Sequence, residues 1–249
     1  MIPAAGRAVR LHPLTLERPK ALLDVGGQPL IHHLLDRLTP PVTDFCVVLG
    51  ESGEAIKAAL GDGFRGAAIH YAMQDEPRGV ADAVLSARDL VSGPFVVVMG
   101  DGYYSGVLGP SLEAWAAAGT AGMVLVEPLA GSPRDPIGLV RQRQGRVSEI
   151  AKTRAVDRFD SRVAGCVGFD ATAWEICSRV CSERPGECEL EDVVSDLLGK
   201  GHEFAVIRYE GWRRNVNSLE DLAAVRAEHE LRLRRQSIPR SEEYLGRRE

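Results

Sequence analysis

A chain of 249 residues that is 45% hydrophobic can bury a full core as one large domain or two small ones. A formal net charge of -5 disfavours general binding to nucleic acid or a membrane surface, and no run of about 18 apolar residues is present to cross a bilayer. Its 5 cysteines include no CxxC, and Cys177, Cys181 and Cys188 lack the spacing of a four-ligand zinc site; with Arg7 and Arg10 too early for a secretory signal, the expectation is a cytoplasmic protein with reduced thiols in its core.

In chain order, DFCVVLG (44–50) predicts a buried strand, and ESGEAIKAAL (51–60) a helix with Ala55, Ile56, Ala59 and Leu60 on one face. AIHYAMQ (68–74) predicts a strand, GVADAVLSARDLV (79–91) a helix, and PFVVVMGD (94–101) a strand that is apolar throughout, as expected when both faces are covered. GMVLVEP (122–128) is a further strand. IGLVRQRQGRVSEI (137–150) reads as two strands around a Gln-Gly turn. VAGCVGFD (163–170) reads as a strand, ATAWEICSRVC (171–181) as a helix, and ELEDVVSDLLGKG (189–201) as a helix closed by glycine. EFAVIRYEGW (203–212) predicts a strand. The stretch 218–235 predicts a long helix, opened by Ser218 and Asp221 as a variant capping box. The alternation of strands and helices with short Gly-rich joints argues for an α/β fold with a mostly parallel sheet between helices.

The opening AAGRAVR offers Ala4, Ala5, Gly6 and Ala8, small residues that let backbone N–H groups approach a triphosphate, with Arg10 as a cation. It is neither GxxxxGK[ST] nor GxGxxG. Pro13 and Pro19 stiffen the segment between Arg10 and Lys20, which suits a loop presenting two cations to one polyanion. Asp101 ends an apolar strand, where open α/β sheets bind ligands, and a carboxylate there beside a phosphate loop is a natural Mg2+ ligand. Gln74 closes a strand and Gly79 precedes a helix; glutamine carries both a donor and an acceptor for a base edge. Asn215 and Asn217 follow a strand. Their amide oxygens are weaker Mg2+ ligands than a carboxylate, and capping of the next helix is the favoured role for Asn217.

These motifs resemble the sugar-phosphate nucleotidyltransferase family, the pyrophosphorylases that make nucleotide sugars. The family pattern AAGxGTRLxPLTxxxPKxLxxVxGxPxI stands here as AAGRAVRLHPLTLERPKALLDVGGQPLI (4–31), in unbroken register. QDEPRGVADA (74–83), VVVMGDGYYSG (96–106), IGLV (137–140), VAGCVGFD (163–170), GECELEDVVSDLL (186–198) and WRRNVNSLEDL (212–222) resemble further stretches of it, so the likeness covers about residues 2–225. The resemblance implies a Rossmann-like mixed, mostly parallel sheet sandwiched by helices in three layers. It also implies one domain over 1–236, with an NTP-binding part to about 128, a sugar-phosphate-binding part over 129–236, and a charged tail at 237–249. The implied reaction joins an NTP and a sugar 1-phosphate with Mg2+, by direct attack on the α-phosphate and with no covalent intermediate.

In that frame Arg10 would hold the leaving phosphates and Lys20 would bridge the sugar phosphate and the α-phosphate. Asp101 and Asn215 would carry the metal. Ala4, Ala5 and Gly6 would line the triphosphate, Gln74 and Gly79 would read the base, and the backbones of Gly138 and Val163 would meet the sugar. The chain departs from the pattern where the second loop glycine is Ala8, its neighbouring threonine is Val9, and the metal-ligand aspartate is Asn215. The sugar-side Glu-Lys-Pro triplet is not found; EIAKTR (149–154) offers Glu149 or Lys152 instead. The first strand is shorter than the family's, which points to Met1 as an internal or alternative start. The departures motivate two alternative readings: a non-catalytic paralogue that binds nucleotide sugar, or a transferase for phosphocholine or a phosphorylated cyclitol. Neither nucleic acid nor membrane is expected as a partner, and the long last helix offers a surface for a homo-oligomer.

Overall fold

The structure, a computed structural model, describes residues 1–6, 8–129, 135–183 and 186–237. From residue 238 on, the charged tail read from the sequence lies outside them. The chain runs through β1 (Ile2–Pro3), β2 (Asp24–Val25), β3 (Gln28–Pro29), α1 (Leu30–Leu38), β4 (Asp44–Leu49), α2 (Gly53–Leu60), β5 (Gly63–Phe64) and β6 (Ala67–Met73). It continues through α3 (Val80–Ser86), β7 (Phe95–Val98), β8 (Gly102–Tyr104), α4 (Gly109–Ala118), β9 (Gly122–Pro128), β10 (Ile137–Arg143), β11 (Arg146–Thr153) and β12 (Ser161–Phe169). It closes with α5 (Ala173–Glu183), α6 (Leu190–Gly199), β13 (Phe204–Arg208), β14 (Arg213–Asn215) and α7 (Leu219–Ser237).

One ladder takes the strands in the order β1-β4-β6-β5 and another in the order β10-β11-β13-β9-β12-β7. The two are stitched along β1 and β7. Met1 N donates to Val96 O at 2.7 Å, Val98 N to Met1 O at 3.0 Å and Gly100 N to Pro3 O at 3.2 Å, so one mixed sheet runs through both halves. Parallel pairing joins β1 to β4, β4 to β6 and β9 to β13, whereas the hairpin β10–β11 and the long strand β12 make the second half largely antiparallel. The hairpin turns at Gln144 and Gly145, both at positive φ (50° and 74°), as a two-residue turn between right-twisted strands requires.

Alternate residues of a strand point to opposite faces, and here both faces are apolar. On β4, Cys46 and Val48 pack with α3, α5 and α6, while Phe45, Val47 and Leu49 pack with α1 and α2. Helices thus cover both sides in the expected three layers. A further cluster of Leu11, Leu23, Val25, Leu30, Tyr103, Val216, Leu222 and Val225 holds α7 against the loop after β1 and against β8.

α1 and α4 occupy stretches to which the sequence reading assigns no element. The strand expected over 203–212 is divided: β13 ends at Arg208, and the chain leaves the sheet so that β14 pairs with β8, Asn215 opposite Gly102. Val216 N then donates to Asp101 O at 2.9 Å, which brings the segment before α7 against the end of β7.

Candidate active site

The loop leaving β1 is set by hydrogen bonds on both sides of it. Ala4 N donates to Val48 O at 2.8 Å, after which Ala5 and Gly6 leave the sheet. Ala8 adopts φ 48° and ψ 37°, the left-handed conformation, and starts a 3-10 turn over Val9–Leu11 that the buried Leu11 anchors. Thr15 Oγ1 donates to Ala8 O at 2.9 Å. The positive φ belongs to the residue that stands in place of the family's second loop glycine, so an alanine bears a conformation suited to glycine.

Lys20 begins the 3-10 turn Lys20–Leu22 directly after Pro19. Its ammonium donates to Asp101 Oδ2 and to Asn217 Oδ1, each at 2.8 Å. The other carboxylate oxygen, Asp101 Oδ1, is buried with no hydrogen-bond partner among the described residues. Three segments far apart in sequence therefore converge on one point: the loop before β2, the end of β7, and the turn before α7.

That point joins two cavities. The first, about 240 Å³, is lined by Ala4, Ala5, Gly6, Lys20, Gln74, Gly79 and Asp101, so the sequence-predicted nucleotide residues share one wall. Gln74 is buried, and its amide nitrogen donates to Gly79 O at 3.1 Å and Asp82 Oδ2 at 2.8 Å. Its side-chain donor is thereby engaged, and Oε1 is the atom left to accept from a ligand.

The second cavity, about 760 Å³, shares Asp101, Val80, Met99 and Glu189 with the first and is lined by Gly138, Val163 and Lys152. Gly138 of β10 lies opposite Lys152 of β11. Lys152, not Glu149, faces this space: Glu149 pairs with Arg158 at 2.7 Å, whereas Lys152 pairs with Glu189. Burial works against the Lys152 charge, but the carboxylates of Glu189, Glu191 and Glu187 outweigh it and raise its pKa. Glu189 is fixed by a capping box at the start of α6, in which its side chain accepts from the Asp192 backbone and Asp192 accepts from Glu189 N.

Behind the second cavity Arg213 and Glu127 meet at 3.1 Å with side chains only 8% and 9% exposed, and Arg162 approaches the same carboxylate at 3.0 Å. A bulge in β12 between Val163 and Val167 makes room for this. Gly165 in the bulge has φ 66°, and a Cβ there would lie 3.0 Å from Arg213 Cζ. Burial disfavours the Arg213 charge, yet the Tyr104 hydroxyl and Glu127 raise its pKa.

Arg10 does not line the first cavity. It stands at the rim of the second, paired with Asp135 at 3.3 Å, and both side chains are exposed. Asn215 Oδ1 accepts from the Arg213 guanidinium. Asn217, read from sequence as a helix cap, has its side chain on Lys20, and the cap of α7 is made by Ser218 Oγ, which accepts from Asp221 N at 3.1 Å. Glu127, Arg162, Arg213 and Glu191 are not singled out in the sequence because each reaches the site from near the end of a strand or helix through tertiary packing.

The family model for nucleotidyl transferases matches residues 1–225. Over 244 residues the chain is 28% identical to the UTP–glucose-1-phosphate uridylyltransferase AglF of Haloferax volcanii, a match covering 97% of this chain and 99% of that protein. It is 25% identical over 228 residues to a glucose-1-phosphate thymidylyltransferase of Streptomyces griseus, covering 90% of this chain and 64% of that protein. Among solved structures, a Bacillus anthracis protein assigned as a glucose-1-phosphate thymidylyltransferase, crystallised with sucrose, superposes with a TM-score of 0.78 at 25% identity over 91% of this chain and 92% of that one. The match runs through both cavities and the strands that carry them, and the chain belongs to the nucleotidyl transferase family.

Proposed function

We propose that this chain transfers a nucleotidyl group from an NTP to a sugar 1-phosphate with Mg2+. The observation that carries the reading is the Lys20–Asp101 pair, which stands where the two cavities meet. The nucleotide lies in the first cavity and the acceptor in the second. An acceptor phosphate oxygen attacks the α-phosphorus, the bond from that phosphorus to the bridging oxygen of the β-phosphate breaks, and pyrophosphate leaves. Lys20 sits between the two phosphates and neutralises charge that grows in the transition state. Arg10, paired with Asp135 at the rim of the second cavity, would meet the leaving phosphates only by exchanging that pair.

The donor set fits Mg2+. Among the described residues Asp101 Oδ1 is a buried oxygen without a partner, and Asn217 Oδ1 comes to the same ammonium as Asp101 Oδ2. A hard cation that keeps several waters takes such oxygens together with substrate phosphates. Asn215, the ligand expected from sequence, holds its amide oxygen on Arg213 and adds to the set only by exchanging that bond. When bound, Mg2+ supplies positive charge at the α-phosphate and the leaving group.

Gln74 Oε1 and the Gly79 backbone suit a pyrimidine imide, which offers an N–H beside a carbonyl. Uridine and thymidine nucleotides are the bases in the names of the two relatives above. The buried Cys46, Cys166, Cys177 and Cys188 suit a reducing, cytoplasmic setting, and among the described residues no helix is long and apolar enough to cross a membrane. A second reading, a non-catalytic binder of nucleotide sugar, draws on Ala8 and Val9 in the phosphate loop; the intact Lys20–Asp101 pair weighs against it. The test offers UTP, dTTP and the other common NTPs with a panel of sugar 1-phosphates and Mg2+, and follows pyrophosphate. Release with at least one pair supports the transferase, while calorimetric binding of a nucleotide sugar with no release in any pair supports the binder.

A further inference from the structure

Among the described residues, one carboxylate of the acceptor cavity makes no ion pair. Glu127, Glu189, Asp135 and Asp221 on its walls each face a guanidinium or ammonium group, and Asp101 faces Lys20. Glu191 does not. It is the second residue of α6, it lines the same cavity, and among the described residues its carboxylate meets no donor besides its own backbone N–H. Its Oε1 fills the space over Gly138 of β10, where a Cβ would overlap it and would also come within 2.8 Å of Val163 Cγ2. The absent side chain at Gly138 is thus what admits the carboxylate to the floor of the cavity, between two residues already assigned to the acceptor.

Resting on the acceptor reading above, we propose that Glu191 determines acceptor specificity: its carboxylate accepts a hydrogen bond from a ring hydroxyl and turns away acceptors that carry a second acid group at that position. A half-buried carboxylate short of donors gains from a hydroxyl that supplies one, and an acceptor carboxylate set against it would bring two like charges together in a partly desolvated site. Burial, reinforced by the charge of Glu189, raises the Glu191 pKa, and Lys152, itself paired with Glu189, offsets this only in part.

The test measures KM for acceptor and for NTP, with kcat, in wild type, Glu191→Ala and Glu191→Gln. The acceptors are a sugar 1-phosphate that wild type turns over, its ring-deoxy series, and the matching uronic acid 1-phosphate. Glu191→Ala raises the acceptor KM roughly tenfold to a hundredfold, the range of a hydrogen bond to a charged group, with the NTP KM within about twofold. One deoxy acceptor shows the same loss on wild type and no further loss on Glu191→Ala. Glu191→Gln keeps the neutral acceptor within a few fold and gains turnover of the uronic acid. An unchanged acceptor KM in Glu191→Ala, or acceptor and NTP constants that rise together as a purely structural role would make them, overturns the assignment while the transferase reading stands. No pyrophosphate from wild type with any acceptor overturns the transferase reading, and this assignment falls with it.

Discussion

The Lys20 ammonium lies 2.8 Å from Asp101 Oδ2 across 81 residues of sequence, with side chains 16% and 20% exposed, where the two cavities meet. In the proposed reaction each of the two groups takes up charge that the substrates bring. Lys20→Met and Asp101→Asn are each expected to lower kcat on the order of a hundredfold or more, as the loss of one preorganised charge does in comparable sites. Steady-state kinetics check this, and a variant within a few fold of wild type removes that residue from the reaction.

Asn217 and Asn215 separate a metal role from a structural one. Asn217→Ala is expected to raise the Mg2+ concentration needed for half-maximal rate several-fold, because its oxygen faces the Lys20–Asp101 pair. Asn215→Ala, which frees Arg213, is expected to act mainly on thermal stability. Mg2+ titrations of rate alongside melting curves distinguish the two; the reverse pattern returns the ligand role to Asn215.

Ala8 holds the left-handed conformation at φ 48°. That conformation costs a non-glycine residue about 1–2 kcal/mol, and glycine returns part of the gain through its looser unfolded chain. Ala8→Gly is therefore expected to stabilise the protein by about 0.5–1 kcal/mol and raise Tm by roughly 2 °C, measured by calorimetry.

Arg213 and Glu127 make a buried pair whose carboxylate Arg162 shares, so removing Arg213 leaves Glu127 with Arg162 alone. Arg213→Met is expected to cost about 3 kcal/mol. Adding Glu127→Leu is expected to recover part of that, since the under-paired buried carboxylate is then gone. Chemical denaturation of the single and double variants reads both numbers.

His229 and His33 stack edge-on at 4.7 Å beneath α7, where Tyr103 Oη and His229 Nδ1 share a hydrogen bond at 3.0 Å and His33 Nε2 donates to Val25 O at 2.8 Å. Burial lowers both pKa values below their ordinary 6.5, with Arg37 adding to the effect at each. A base whose folded pKa is depressed contributes stability that is full above its unfolded value and is lost as pH falls through the folded one. Tm is expected to be level above about pH 6.5 and to fall on acidification toward pH 5, less steeply in His229→Gln.

The fold was legible where one residue pattern decides one element. The apolar run ending in Asp101, the Gln-Gly turn of the β10–β11 hairpin and the Ser218–Asp221 cap all stand where the sequence places them. α1 carries a readable stripe of Leu30, Ile31, Leu34, Leu35 and Leu38, but it lies across the end of the long phosphate-loop motif that dominates that stretch. α4 has the sequence GPSLEAWAAA, in which Leu112, Trp115 and Ala118 pack partly buried against the core, so no strong periodicity marks it. Where a loop carries its own signature, as at Lys20, Gln74 and Asp101, the residues singled out in the sequence line one cavity. Partners that meet through tertiary packing were not legible in this way. Asn217 stands beside the Ser218 cap and reads as a capping residue, yet its side chain goes to Lys20, while Glu191 reaches the cavity only because Gly138, 53 residues earlier on another element, lacks a Cβ.

The most direct measurement follows both products in one reaction: α-phosphate-labelled UTP or dTTP, glucose 1-phosphate and Mg2+, with and without the protein. The account predicts label appearing in a nucleotide sugar in step with an equal amount of pyrophosphate, abolished by chelating the metal. Label that stays in the NTP across the full panel of bases and sugar 1-phosphates, with protein that is folded and binds nucleotide, would contradict it.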